Sequence, residues 1–215
     1  MINTGTATIS GTNEIESLYN KTAQSVLTMT SGSLTSTTFR NEGTVALTGT
    51  TTIGELITSK SFIADSSDDL DKTTITLMTN SAYAKLLGVN EVGTLNNTDE
   101  LEILGDTQIT TLLNNSGTVS TNGVTTIEKI TNSSTGEITS EGDENTFNIV
   151  ENNGTIVLKA DKNSVNSLSN LTTTSNVTVT GDNTFVDIAN KGKVDINGST
   201  AILGDVTENG SLNIL

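Results

Sequence analysis

An all-β fold wound as a parallel β-helix, or β-solenoid, is what this sequence predicts, and three observations predict it. A unit of about 18 residues recurs almost from end to end. The apolar residues of each unit fall in fixed slots, two or three residues apart. The periodic segments are built from threonine, valine and isoleucine, whose branched Cβ suits an extended chain better than a helix. The period also decides against disorder, which a polar, acidic chain with 3% aromatic residues would otherwise suggest.

The units can be laid out in order. Anchors placed two residues before the first inward apolar position fall at Gly5, Ser25, Gly43, Thr73, Asp99, Gly117, Gly136, Gly154, Ser175, Gly192 and Gly210. Each anchor opens a short alternating strand, as in Ala7/Ile9, Val45/Leu47, Leu101/Ile103, Ile156/Leu158, Val177/Val179 and Val194/Ile196. Seven to nine residues later comes a second apolar pair, as in Ile15/Leu18, Ile53/Leu56, Ile109/Leu112, Ile127/Ile130, Val165/Leu168 and Phe185/Ile188. The first pair is two apart and shares one strand face. The second is three apart, so a bend or bulge lies between its members. The unit from Ser25 thus gives Leu27, Met29, Leu34 and Phe39, and the unit from Gly192 gives Val194, Ile196, Ile202 and Val206. Each unit is one rung of short strands and tight corners. A rung cannot bury its apolar face alone, so rungs of 18–20 residues stack, roughly 11 of them, each strand bonded to its equivalent one rung away. At about 4.8 Å per layer the stack is a rod on the order of 50 Å long.

Asparagine recurs two residues before the anchor, at Asn41, Asn97, Asn115, Asn152 and Asn190. Equivalent amides on neighbouring rungs can stack and exchange hydrogen bonds, so these residues read as a corner ladder. Segments such as Asn152-Asn-Gly-Thr-Ile156 and Gly204-Asp-Val-Thr-Glu-Asn-Gly-Ser-Leu212-Asn-Ile214 resemble the turns of bacterial autotransporter passenger regions and filamentous-haemagglutinin-like adhesins. Surface-layer proteins and phage tail spikes share parts of this grammar. The resemblance implies a right-handed solenoid displayed at the cell surface as a stalk or adhesive rod, with a host-surface glycan or protein as partner and an extracellular location.

Two units are too long, with 30 residues from Gly43 to Thr73 and 26 from Thr73 to Asp99. The surplus reads as loop insertions near 57–72 and 88–97 at one corner of two consecutive rungs, stacked on one face of a single domain spanning 1–215. An alternative register puts Phe62 and Ala64 in an extra, irregular rung. The first insertion carries Asp65, Asp68, Asp69 and Asp71, and the second carries Glu91 ahead of Asp99 and Glu100. Carboxylates among hydroxyl and amide oxygens suit a hard cation, so the four aspartates are candidate Ca²⁺ ligands. A solvated acidic loop is the competing reading, and neither an EF-hand loop nor the Gly-Gly-x-Gly-x-Asp nonapeptide is present.

The net charge of −15 argues against nucleic acid, whose phosphates need lysine and arginine. With no cysteine and no histidine, thiol catalysis, cysteine-type zinc sites and Ser-His or Cys-His nucleophile pairs are excluded. No apolar run reaches the length of a membrane span, and Met1-Ile-Asn-Thr-Gly is no signal peptide, so a cytosolic protein or an excised piece of a secreted one is expected. Asn97-Thr-Asp99 and Asp68-Asp69 resemble carboxylate motifs of β-helical sugar enzymes only superficially, because their His and Arg-Ile-Lys companions are absent and Arg40 is the one arginine. The aromatic side chains Phe39, Tyr83, Phe147 and Phe185 are expected inward, leaving Tyr19 as the exposed ring. The reading is therefore of a non-catalytic structural or adhesive solenoid without cofactor. A self-assembling filament or surface-layer subunit, docking end to end or laterally through uncapped solenoid ends, is the alternative, and a polysaccharide-active enzyme comes third.

Overall fold

The computed structural model describes residues 1–66 and 71–215. Every strand pairing in it is parallel. The chain winds as a β-solenoid of about twelve turns. Each turn contributes to three sheets. Sheet I starts at Ile2–Asn3 and Ser17–Asn20 and ends each of its strands at a corner position such as Asn41 or Asn115. Sheet II holds the alternating segments, for example Thr44–Thr48, Glu100–Leu104 and Lys193–Asn197. Sheet III follows round the next corner, and its strands often run on into sheet I, as Thr50–Thr58 and Thr107–Asn115 do. The strand Val26–Asn41 goes round all three faces without a break.

The core is the column of apolar side chains that the alternation turns inward: two per turn from sheet II and one each from sheets III and I. In the turn of Ile156, Leu158, Val165 and Leu168 none is more than 2% exposed. Phe39 and Phe62, one rung apart, meet edge to face with ring centroids 6.0 Å apart. Leu34 is inward as expected, but pairs in register with Thr51, and Ser36 takes the place opposite Ile53. A shift of two keeps a side chain on the same face of a strand, so the substitution is tolerated.

One corner explains the glycines. Between sheets II and III, Gly88 and Gly105 lie one rung apart with φ of 77° and 150°. A Cβ built on Gly105 would sit 2.2 Å from the Gly88 carbonyl oxygen. Successive rungs touch backbone to backbone here, and only glycine has both the conformational freedom and the absent side chain that this requires.

The long units resolve differently from the expected paired loops. Residues 88–97 are no insertion: Asn90–Asn97 is a strand in register with Thr73–Asn80 on one side and Thr107–Asn115 on the other. Ile57 and Thr58 close the strand Thr50–Thr58, and Phe62–Ser66 is a sheet II strand between Thr44–Thr48 and Ala84–Gly88. The extra rung through Phe62 and Ala64 is therefore real. Residues 67–70 of the first insertion lie outside the described residues, and with Asn90–Asn97 in a regular strand the expected second loop is absent from the described residues. The cause is a phase slip. Thr73 opens a sheet III strand, and Ile75 and Met78, three apart, are its inward pair, while Leu77 is half-buried. Likewise Ala84 and Leu86 point inward and Tyr83 points out. Restoring Lys60 and Ala82 as anchors in place of Thr73 yields the additional turn.

Candidate functional site

The most organised feature inside the rod is a column of side chains where sheet I turns into sheet II. It comprises Asn3, Asn20, Asn41, Thr58, Asn80, Asn97, Asn115, Asn132, Asn152, Asn170, Asn190 and Glu208, aligned by the register of the strands that carry them. The asparagines are 6% exposed at Asn3 and at most 2% elsewhere. Each amide bonds at both ends. At Asn3, Asn41, Asn80, Asn115, Asn152 and Asn190 the Oδ1 accepts a backbone N–H two residues on, as from Gly43 to Asn41 at 3.0 Å and from Gly154 to Asn152 at 3.1 Å. Its Nδ2 donates to the Oδ1 of the next rung: Asn80 to Asn97 at 2.8 Å, Asn97 to Asn115 at 2.9 Å, Asn115 to Asn132 at 3.0 Å and Asn170 to Asn190 at 2.8 Å. At those six the backbone N–H fixes which end of the amide is oxygen, and at Asn20, Asn97, Asn132 and Asn170 the carbonyls that Nδ2 donates to do so, so every Nδ2 points toward the C-terminal end of the rod. Buried amides are tolerable because both ends are bonded.

The ladder changes composition at two positions. Thr58 accepts from Asn41 at 3.1 Å and turns its own hydroxyl to the Lys60 carbonyl at 3.1 Å, so it passes nothing on to Asn80. Glu208 accepts from Asn190 with both carboxylate oxygens at 3.2 Å.

A second polar file lies at the start of sheet III. Ser140 donates to Asn145 Oδ1 at 2.6 Å, Asn145 to Asn163 at 2.8 Å, Asn163 to Asn183 at 3.0 Å, and Asn183 ends on the Gly181 carbonyl at 2.8 Å. Thr121 joins it through Ser140, with the two hydroxyl oxygens 2.5 Å apart. On the outer face beside this file is an open cavity of ≈ 450 Å³. Glu144, Lys162 and Asp182 line it on three successive rungs.

Of the four candidate cation ligands, Asp65 and Asp71 lie among the described residues. Asp65 is half-buried on the strand Phe62–Ser66, and its carbonyl accepts from Gly49 N–H at 3.0 Å. Asp71 accepts from the Thr50 hydroxyl at 2.9 Å. Asp68 and Asp69 lie outside the described residues. Among the described residues no group of three or more carboxylates, histidines or cysteines is placed to hold a metal ion. Glu91 pairs with Lys72. Asn97 belongs to the buried ladder and Asp99 is exposed across the corner, where its carbonyl accepts from the Asn97 amide at 2.8 Å.

Two clusters on the outer faces carry shifted titrations. The Tyr19 hydroxyl, bonded to Glu42, is raised above the usual phenol range, and that bond together with Arg40 lowers the Glu42 carboxyl. The Arg40 guanidinium lies 5.4 Å from the Tyr19 ring centroid and 2.8 Å from Glu42. Next to sheet II's midpoint, the Lys85 ammonium, 3.1 Å from Glu102, and the Tyr83 hydroxyl hold the Glu102 carboxyl below the usual range.

Comparison with known proteins gives no match to a family model, to a curated protein or to a solved structure. No helix among the described residues is long and apolar enough to cross a membrane.

Proposed function

We propose that this chain is a non-catalytic structural rod, a stalk or adhesive segment of a bacterial surface protein that spaces or presents its outer faces. The observation that carries the reading is the buried asparagine ladder. It runs nearly the whole length of the stack, and its hydrogen bonds join each rung to the next except between Thr58 and Asn80. A polar column of this kind ties rungs into one register and resists bending or slipping along the axis. Such a device serves length and stiffness. The apolar core is correspondingly narrow, four side chains per turn, and the outer faces are left to hydroxyls, amides and lysine–carboxylate pairs such as Lys85–Glu102, Lys129–Glu151 and Lys159–Glu141. Those faces offer hydrogen-bonding partners to a surface glycan or protein.

The test is small-angle scattering and negative-stain microscopy of the purified chain, with and without millimolar Ca²⁺, followed by a screen against glycans and extracellular-matrix proteins. Straight single rods roughly 55 Å long, for about twelve layers at about 4.8 Å each, together with saturable binding to at least one surface ligand, are expected. Compact particles, or turnover of a polysaccharide by the chain, would sink the reading.

A further inference from the structure

The open cavity beside Glu144, Lys162 and Asp182 has a counterpart on the same corner. A second cavity, of ≈ 340 Å³, is lined among others by Val89, Asp106, Gln108, Val124 and Thr126. Both lie on the outer side of the strands where sheet III begins. They adjoin, because Thr125 and Asn145 are register partners, which sets the Val124 rung of one beside the Glu144 rung of the other. Together they form one groove parallel to the rod axis, from Lys72 to Thr200 over eight successive rungs.

A column of outward side chains follows this groove, passing in register through Gln108, Thr126, Thr146, Ser164 and Thr184. Each carries both a donor and an acceptor, and none makes a side-chain hydrogen bond among the described residues. Their spacing is that of the layers, about 4.8 Å, close to the rise of one residue in an extended β-1,4-linked sugar chain. Val89 and Val124, two rungs apart in the same groove, are 44% and 40% exposed and offer apolar contact. A sugar ring has both kinds of surface, hydroxyls at its rim and C–H groups on its faces. Charge narrows the class further. In the two cavities Glu91, Asp106, Glu144 and Asp182 stand against Lys72 and Lys162, in a chain of net charge −15, so a polyanion is repelled. A polycation meets an ammonium group in each cavity: Lys72 pairs with Glu91, and Lys162 stands between Glu144 and Asp182 on the rungs to either side.

We propose that this groove binds an uncharged, extended β-1,4-linked glycan chain lying parallel to the rod axis, hydrogen-bonded by the column from Gln108 to Thr184 and resting on Val89 and Val124. The inference rests on the adhesive reading above and gives it a place and a ligand class. No aromatic ring lines either cavity, so affinity grows with the number of sugar residues the groove seats.

The experiment titrates the nitrogen-15-labelled chain with hexamers of β-1,4-linked N-acetylglucosamine, mannose and xylose and follows its amide resonances, in about 0.15 M salt to screen surface attraction. At least one hexamer should shift amides of the groove between Val89 and Thr184 and bind at least ten-fold tighter than its dimer. Gln108→Ala combined with Thr126→Ala should weaken binding at least ten-fold. Ser164→Ala with Thr184→Ala is the second pair, and circular dichroism checks the fold of both. Thr139→Ala, on the outer face of sheet II, should bind as the parent does. Neither a galacturonate hexamer nor spermine should displace the bound glycan. Shifts confined to other faces, or binding that survives both double variants, overturn the groove and leave the adhesive reading standing. Silence from all three hexamers overturns the groove, and adhesion then rests on protein ligands. Displacement by galacturonate or spermine overturns the uncharged class, and cleavage of a hexamer overturns the groove and the non-catalytic reading together.

Discussion

Asn114 and Asn115 are neighbours in sequence, and the same substitution at each should have very different consequences. The Asn115 side chain lies inside the ladder at 2% exposure. Its Nδ2 donates to Gly117 O at 2.9 Å, Asn132 Oδ1 at 3.0 Å and Glu137 O at 3.1 Å. Its Oδ1 accepts from Asn97 Nδ2 at 2.9 Å and Gly117 N–H at 3.2 Å. After Asn115→Ala the Asn97 amide keeps two carbonyl acceptors, those of Asp99 and Thr118. Asn132 Oδ1 fares worse, since Asn115 is its hydrogen-bond donor. A lost bond costs about 0.5–1.5 kcal/mol net and an orphaned buried acceptor about 1–3 kcal/mol, so Asn115→Ala should destabilise by about 4 kcal/mol. Asn114 points outward and makes one side-chain bond, to Asn96 at 2.8 Å. Its replacement should cost about 0.5 kcal/mol. Urea unfolding followed by circular dichroism separates the two. With a slope of about 2 kcal/mol/M, Asn115→Ala should lower the midpoint by about 2 M and Asn114→Ala by a few tenths. If the two variants unfold within about 1 kcal/mol of each other, the ladder does not hold the rungs together as argued.

Thr58→Asn should close the one interior break in the ladder by giving Asn80 Oδ1 the donor that the Thr58 hydroxyl withholds; a gain of about 1 kcal/mol in the same urea titration is expected. Gly105→Ala should cost at least about 3 kcal/mol, from a positive φ and a Cβ 2.2 Å from a backbone oxygen, whereas Gly5→Ala, with nothing within 4 Å, should be nearly neutral by thermal melting. Phe62→Ala removes a fully buried ring and should cost about 3–5 kcal/mol. Glu102 titrates lower in the folded chain than in the unfolded one, so its contribution is present above the unfolded pKa and is lost as the pH falls through the folded one; stability measured down an acid series should fall less steeply in Glu102→Gln than in the parent.

The fold was legible because its signal is redundant: Ile156/Leu158 and Val194/Ile196 repeat one spacing in one chemical class, and an error in one rung leaves the others in place. The register of the middle rungs was not, for a physical reason. Every residue from Phe62 to Ala64 is apolar, which hides the alternation, and inward Ala84 is smaller than outward Tyr83, which reverses it. Thr73 therefore has the pattern of a rung's start although it starts a rung's second strand, and two regular strands have the pattern of surplus loop. The ladder was half visible. Asn41, Asn97, Asn115, Asn152 and Asn190 stand at tight corners two residues before the anchor. Asn20, Asn132 and Asn170 precede longer corners, ending at Ser25, Gly136 and Ser175, so the same distance misses them. Counting from the other side finds them all, since Leu18-Tyr-Asn20, Ile130-Thr-Asn132 and Leu168-Ser-Asn170 share the apolar-x-Asn spacing of Phe39-Arg-Asn41. Only composition points to the candidate cation ligands. Asp65 turned out to sit on a strand rather than a loop, because loop or strand at that point depended on the register that Phe62 to Ala64 conceals.

The uniform orientation of the ladder has an electrical consequence. Each buried amide is a dipole, and a column of them laid oxygen to nitrogen adds up along the rod axis as peptide units do along a helix. Positive potential accumulates where the last N–H emerges, beside Asn190, and the carboxylate of Glu208 sits on that spot. The rod is therefore electrically asymmetric from inside its core, independently of the charges on its surface. In a pulsed field the ladder's moment adds to that of the surface charges, and the difference in transient electric birefringence between the parent and Asn115→Ala would read the ladder's share.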